Sequence, residues 1–253
     1  MLTIRTNASS TVLCVLSLWG TATWADTQSA HIDHAGFQIS GYAGVAGTTI
    51  HPGTLQGFNE TDSLHPNKNH QQEDFTWGFG AAYRFMPPAV TRNLLHDISL
   101  GLDFMYFQTN QKGYTWLYEQ PAYNNYTYQL PIDSLCLLVD SEWSFHSLLR
   151  PYLFPFIEGG IGFARNTASY NDSPLIANTE GLSINSNAQY QFSYTVGGGV
   201  KILLPFNTEL SVRYLYADLG NATTSSNASV PLAAPITIPL STQTWLAGLT
   251  YLF

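Results

Sequence analysis

From residue 37 onward, apolar and polar side chains alternate with a period of two in eight separate stretches. In residues 75–85, Phe75, Trp77, Phe79, Ala81, Tyr83 and Phe85 share one face, and Thr76, Gly78, Gly80, Ala82 and Arg84 share the other. Successive side chains of a strand point to opposite sides, so this pattern predicts a strand between two unlike environments. Comparable alternation predicts strands over residues 37–46, 96–108, 150–165, 189–204, 209–217 and 240–253. Over residues 125–145 one period does not hold throughout. A bulge at 131–134 is expected there, putting Tyr126, Tyr128 and Leu130 on the same face as Leu135, Leu137, Val139 and Trp143.

The connections alternate too. Residues 51–72, 110–124, 166–188 and 218–239 read as long polar loops, whereas those after the second, fourth and sixth strands are short, the last being Pro205-Phe206-Asn207. An up-and-down barrel with an even number of strands places every short turn and both chain ends on one side. Greek-key crossings in a two-sheet sandwich would not sort the loops this way. The expected fold is therefore all-β: an eight-stranded antiparallel up-and-down transmembrane barrel.

Composition agrees with a membrane barrel. Of 253 residues only 10% are charged and 14% are aromatic, with 20 glycines. After residue 25 no apolar run is long enough for a membrane helix. A formal net charge of −8 argues against a nucleic-acid partner, because phosphate binding needs clustered Lys and Arg. Residues 1–25 carry a basic start at Arg5, an apolar centre and small residues before Ala25, the pattern of a signal peptide. The expected organisation is signal peptide 1–25, periplasmic leader 26–36 and transmembrane barrel 37–253. Cleavage removes Cys14 and leaves Cys136 as a lone cysteine, read as a small buried hydrophobe. His31 and His34 in the leader read as parts of a solvated tail, and neither a metal nor a cofactor is expected.

Charges within the strands fall mainly on the less oily face: Arg84, Asp103, Asp140, Glu142, Glu158, Lys201, Glu209 and Arg213. Eight strands enclose an interior that side chains just fill, so these charges should meet as a salt-bridged plug. Glycines on that face leave room for the long side chains. Aromatic residues near strand ends suit two girdles at the membrane boundaries. Tyr114, Trp116, Tyr118 and Tyr123 lie beyond the girdle in the second long loop. They could form a contact surface or a hairpin held by ring pairs.

Residues 151–164 (PYLFPFIEGGIGFA), 193–204 (SYTVGGGVKILL), 209–220 (ELSVRYLYADLG) and 244–253 (TWLAGLTYLF) together resemble the membrane domain of outer-membrane protein A and the related opacity-like porin family. The resemblance implies a bacterial outer-membrane location and a C-terminal assembly signal at Gly248, Tyr251 and Phe253. It also implies contact with outer-membrane lipid and lipopolysaccharide, delivery by the barrel assembly machinery, and a monomer whose loops meet a host or surface ligand. The expected role is structural or surface-interacting, and no catalytic residue is named. Other roles stay open: a narrow porin, a conduit for small molecules, or a lipid A-modifying enzyme. For the enzyme, His146-Ser147 falls in a short turn on the wrong side of the membrane, and His51, His65 and His70 near Asp62 and Ser63 lie in a loop.

Overall fold

In the computed structural model, residues 35–50, 54–56, 61–66, 73–88, 90–91, 94–147, 152–176, 179–229 and 234–253 are described. They form ten antiparallel strands: β1 Gly36–Ile50, β2 Thr54–Gln56, β3 Thr61–Pro66, β4 Glu73–Phe85, β5 Leu95–Trp116, β6 Asn124–Phe145, β7 Leu153–Pro174, β8 Ser183–Leu204, β9 Thr208–Thr223 and β10 Thr237–Leu252. Eight of these close a ring in the order β5-β4-β1-β10-β9-β8-β7-β6, with β6 pairing back to β5. The other two, β2 and β3, form a small hairpin within the first long connection and dock on the outer end of β5, with Ser63 opposite Trp116 and His65 opposite Tyr114. The expected signal peptide, nearly all of the expected leader, and His51 and His70 lie outside the described residues.

The ring closes where the chain's first and last strands meet. Gln38 pairs with Leu252 and the antiparallel register runs unbroken to Ile50 and Leu240. In hydrocarbon every backbone N–H and C=O needs a partner within the protein, and closure supplies one along each edge. The ring's outer surface is apolar in a continuous band: Phe37, Phe79, Leu102, Val139, Ile161, Phe192, Val212 and Leu249 are all exposed. On a water-soluble protein so large an apolar surface would drive aggregation, whereas acyl chains solvate it.

Several strands run well past this band at the long-loop end, and there the two faces exchange character. Within the band, even-numbered residues of β5 from Leu100 to Tyr106 face outward, and so do odd-numbered residues of β6 from Leu135 to Trp143. Beyond it the outward positions become Gln108, Asn110, Lys112, Gln129 and Thr127, while Phe107, Leu130, Ile132 and Tyr128 are buried inside. The expected bulge at 131–134 is therefore not present. The β5–β6 register keeps one offset from Tyr106–Leu135 through Asn110–Pro131 to Tyr114–Thr127, and β6–β7 keeps its own on either side of Pro131. What resembled a phase shift in the chain is a change of surroundings along a regular strand.

The same effect shortened the predicted strands. Much of what reads as loop in 110–124, 166–188 and 218–239 is zipped into β5 through β10, and 51–72 contains β2 and β3. True register shifts lie elsewhere, at Leu240/Ser241 against β9 and at Ala168/Tyr170 in β7. Opposite the first of these, Gly220 takes φ +70, a conformation that a side chain would strain, and its N–H donates to Asp218 Oδ1 at 2.9 Å.

Candidate functional site

The alternation sends Arg84, Lys201 and Arg213 into the lower half of the lumen, toward the short turns, and neighbouring strands bring carboxylates to meet them. Arg84 Nη2 lies 2.6 Å from Glu209 Oε1. Lys201 Nζ lies 2.9 Å from Glu142, 3.2 Å from Asp97 and 3.6 Å from Glu209. Arg213 lies 2.6 Å from Glu158 and 3.8 Å from Glu142. Arg84, Asp97, Lys201 and Glu209 are almost completely buried. Ions taken this far from water need close opposite charges, and the alternating signs around the lumen supply them. Asp103 and Asp140 enter no ion pair among the described residues, although Asp103 accepts the Tyr42 hydroxyl at 2.6 Å.

Tyr42 and Asp97 were not singled out from the sequence. Tyr42 is the one aromatic residue on the inward face of β1, and its ring lies 4.5 Å from the Arg213 guanidinium carbon. A methyl at Gly80 would collide with both the Tyr42 hydroxyl and the Asp103 carboxylate, so this glycine makes room for that pair. Asp97 shares Ser99's parity, so alternation alone would have put it inside. His96 stacks on Phe154 at 4.0 Å and meets His146 edge-on at 5.0 Å, making an aromatic rim near the short turns.

Above the charges the lumen is filled by apolar side chains interspersed with buried Thr, Ser and Asn. Met105, Phe107, Leu130, Ile132, Leu138 and Leu246 are each at most 3% exposed. Higher still, Tyr128 stacks on Tyr170 at 5.9 Å, and the Tyr170 hydroxyl donates to Asp172 at 3.1 Å. Asp172 Oδ1 also accepts the Leu182 N–H at 2.6 Å. Burial raises the Asp172 carboxyl above its ordinary range, despite these two donors.

The β5–β6 connection ends in two one-turn 3₁₀ segments, Leu117–Glu119 and Pro121–Tyr123. Here the aromatic residues expected as a contact surface come to the tip of the hairpin. Trp116 stacks on His65 of β3 at 3.6 Å, and Tyr118 meets Tyr123 edge-on at 6.0 Å. Tyr114 lies lower on the stalk, opposite His65. Tyr114, Tyr118 and Tyr123 are exposed. Tyr118 and Glu119 both take left-handed backbone, φ 55 and 56, which costs roughly 1–2 kcal/mol for each non-glycine residue. The hydrogen bond from the Tyr118 N–H to Asp62 Oδ1 at 3.0 Å helps hold that shape, so the β2–β3 hairpin clamps the tip.

Among the described residues, His65, Ser63 and Asp62 do not line up as a relay. Ser63 Oγ and His65 Nε2 lie 2.9 Å apart on one side of β3, while Asp62 is buried on the other and binds the Tyr118 N–H. A Ser–His–Asp arrangement needs the acid to orient the imidazole. Among the described residues no group of three or more His, Cys, Asp or Glu is disposed to hold a metal ion.

At the C-terminus Gly248 faces the lumen, and Tyr251 and Phe253 face outward with their rings edge-on at 4.9 Å. The Phe253 N–H donates to the Phe37 carbonyl at 2.9 Å.

Among solved structures the chain is similar to Neisserial surface protein A (14% identity, 87% of this chain and 99% of that one, TM-score 0.43). It is also similar to the outer membrane protease OmpT of Escherichia coli (9%, 86% and 97%, 0.46) and to the outer membrane protein OprG of Pseudomonas aeruginosa (12%, 87% and 97%, 0.39). No curated protein matches it. The family model described as the outer membrane protein beta-barrel domain matches residues 12–253. The closed ring, the apolar band and this match identify the chain as a member of the outer membrane protein beta-barrel family, resident in the bacterial outer membrane.

Proposed function

We propose that this barrel is a non-enzymatic surface protein, which reaches beyond the membrane to engage a macromolecular partner through the aromatic tip of the β5–β6 hairpin. The observation that carries this reading is the tip itself. Tyr118 and Tyr123 are exposed, and the strained backbone at Tyr118 is held by the hydrogen bond to Asp62 of the β2–β3 hairpin. Aromatic side chains bring large contact area at low entropic cost, and a pre-shaped loop loses less freedom on binding. Strands that continue past the apolar band lift this tip away from the lipid surface.

A filled lumen supports this role over that of a narrow porin or a small-molecule conduit, because charges below and apolar side chains above occupy the path. On this reading the monomer sits among outer-membrane lipid and lipopolysaccharide. Gly248, Tyr251 and Phe253 present the last strand to the barrel assembly machinery. The test is adhesion of bacteria displaying the protein to epithelial cells or matrix-coated surfaces. Tyr118→Ala/Tyr123→Ala should reduce adhesion about tenfold at unchanged surface level, a typical cost of losing interface anchors. Unaltered adhesion would refute the assignment of the tip.

A further inference from the structure

The lower lumen, among the described residues, holds more acid than base. Among the described residues three cations, Arg84, Lys201 and Arg213, face six carboxyl groups, and the ion pairs engage Asp97, Glu142, Glu158 and Glu209 but neither Asp103 nor Asp140. These two carboxyl groups border a cavity of about 20 Å³, whose lining also includes Gln38, Tyr42, Ser99 and Arg213. A space of that size accommodates one particle about as large as a water molecule. Gln38 is only 8% exposed, and its Oε1, on this cavity's wall, has no hydrogen-bond partner.

The lining leaves acceptors unserved: the Asp103 and Asp140 carboxyl groups stand outside the ion pairs, and Gln38 Oε1 has no partner. The Tyr42 hydroxyl donates its hydrogen bond to Asp103, and Arg213 donates through Nη1 to Glu158 and lies over the Tyr42 ring, while its Nε has no partner. A buried carboxylate without compensation is costly, and an unfilled buried acceptor adds to the cost. Water would serve Gln38 but leave the charge. A proton would neutralise one carboxylate but leave the remaining acceptors to share it. A hard cation ligated by oxygen meets both needs. A divalent ion is disfavoured by Arg213 on the wall and by the absence, among the described residues, of three convergent carboxylate or histidine ligands.

We propose that Asp103, Asp140 and the Gln38 side-chain carbonyl form a binding site for a monovalent cation of about sodium's size inside the barrel. The site neutralises part of the surplus charge and ties β1, β5 and β6 together. It stands apart from the surface role of the tip.

The test is the temperature at which the folded form, in detergent micelles, converts to the unfolded form on a gel. Sodium chloride is compared with N-methylglucamine chloride at equal ionic strength. The transition should climb saturably with sodium, by about 5 °C between about 1 mM and about 100 mM, and should not respond to the bulky cation. Asp140→Asn should abolish the sodium response, Gln38→Leu should move half-saturation to about tenfold higher sodium, and the outward-facing Arg165→Gln should change nothing. Equal transitions in the two salts, a full response in Asp140→Asn, or a transition that follows pH but not sodium would each overturn the proposal. If Asp140→Asn does not fold, Gln38→Leu decides: an unshifted half-saturation overturns the site.

Discussion

At the scale of single residues, the lumen depends on charges that only their neighbours make tolerable. Replacing Arg84 with Met leaves Glu209, 3% exposed, without its 2.6 Å partner. The single change should cost about 3–5 kcal/mol, whereas Arg84→Met together with Glu209→Gln should cost much less. Urea unfolding in lipid vesicles, followed by tryptophan fluorescence, measures both. Asp172 behaves differently because burial raises its carboxyl, so folding favours the protonated form. Its ionisation carries no penalty below the ordinary carboxylate range and weakens the outer extension as pH climbs through the raised value. Hydrogen exchange at the Leu182 amide, corrected for intrinsic rate, should show more frequent opening as pH rises. Asp172→Asn should flatten that slope, and an identical slope in the variant would show that the carboxyl has no such role.

At the scale of strands, alternation was legible because lipid and lumen are unlike solvents on opposite faces of one ribbon. Phe75–Phe85 reads cleanly because the whole segment stays within the apolar band. β6 does not, because above the band Tyr128, Leu130 and Ile132 turn inward to an apolar core while Gln129 and Thr127 meet water. The period survives there and the oily face changes sides, which imitates a bulge in sequence alone. The lumen charges follow directly from parity. Their partners do not, because pairing across the ring joins β4 to β9 and β6 to β8, which no local spacing encodes. The tip was legible as an aromatic cluster, but the clamp from Asp62 was not, since it depends on β3 docking beside β5. The outer core is a separable layer on this account. Leu130→Ala should cost about 2–5 kcal/mol, and exchange should rise above the band while amides of the membrane portion stay protected.

At the scale of the whole molecule, β10 completes the ring by pairing with both β1 and β9, so closure waits on the last residues of the chain. Deleting Phe253 removes the ring beside Tyr251 and the backbone bond to Phe37. Loss of surface-exposed protein should exceed that caused by lumen or tip substitutions, and equal surface levels would contradict a part for Phe253 in assembly. The finished barrel carries two successive fillings, salt bridges toward the short turns and an apolar core toward the long loops. In the function proposed above, that closed interior leaves the protein's work to its outer surface. Conductance of the purified, folded protein in a planar lipid bilayer tests it most directly: a silent bilayer is the predicted result, and reproducible discrete current steps would contradict it.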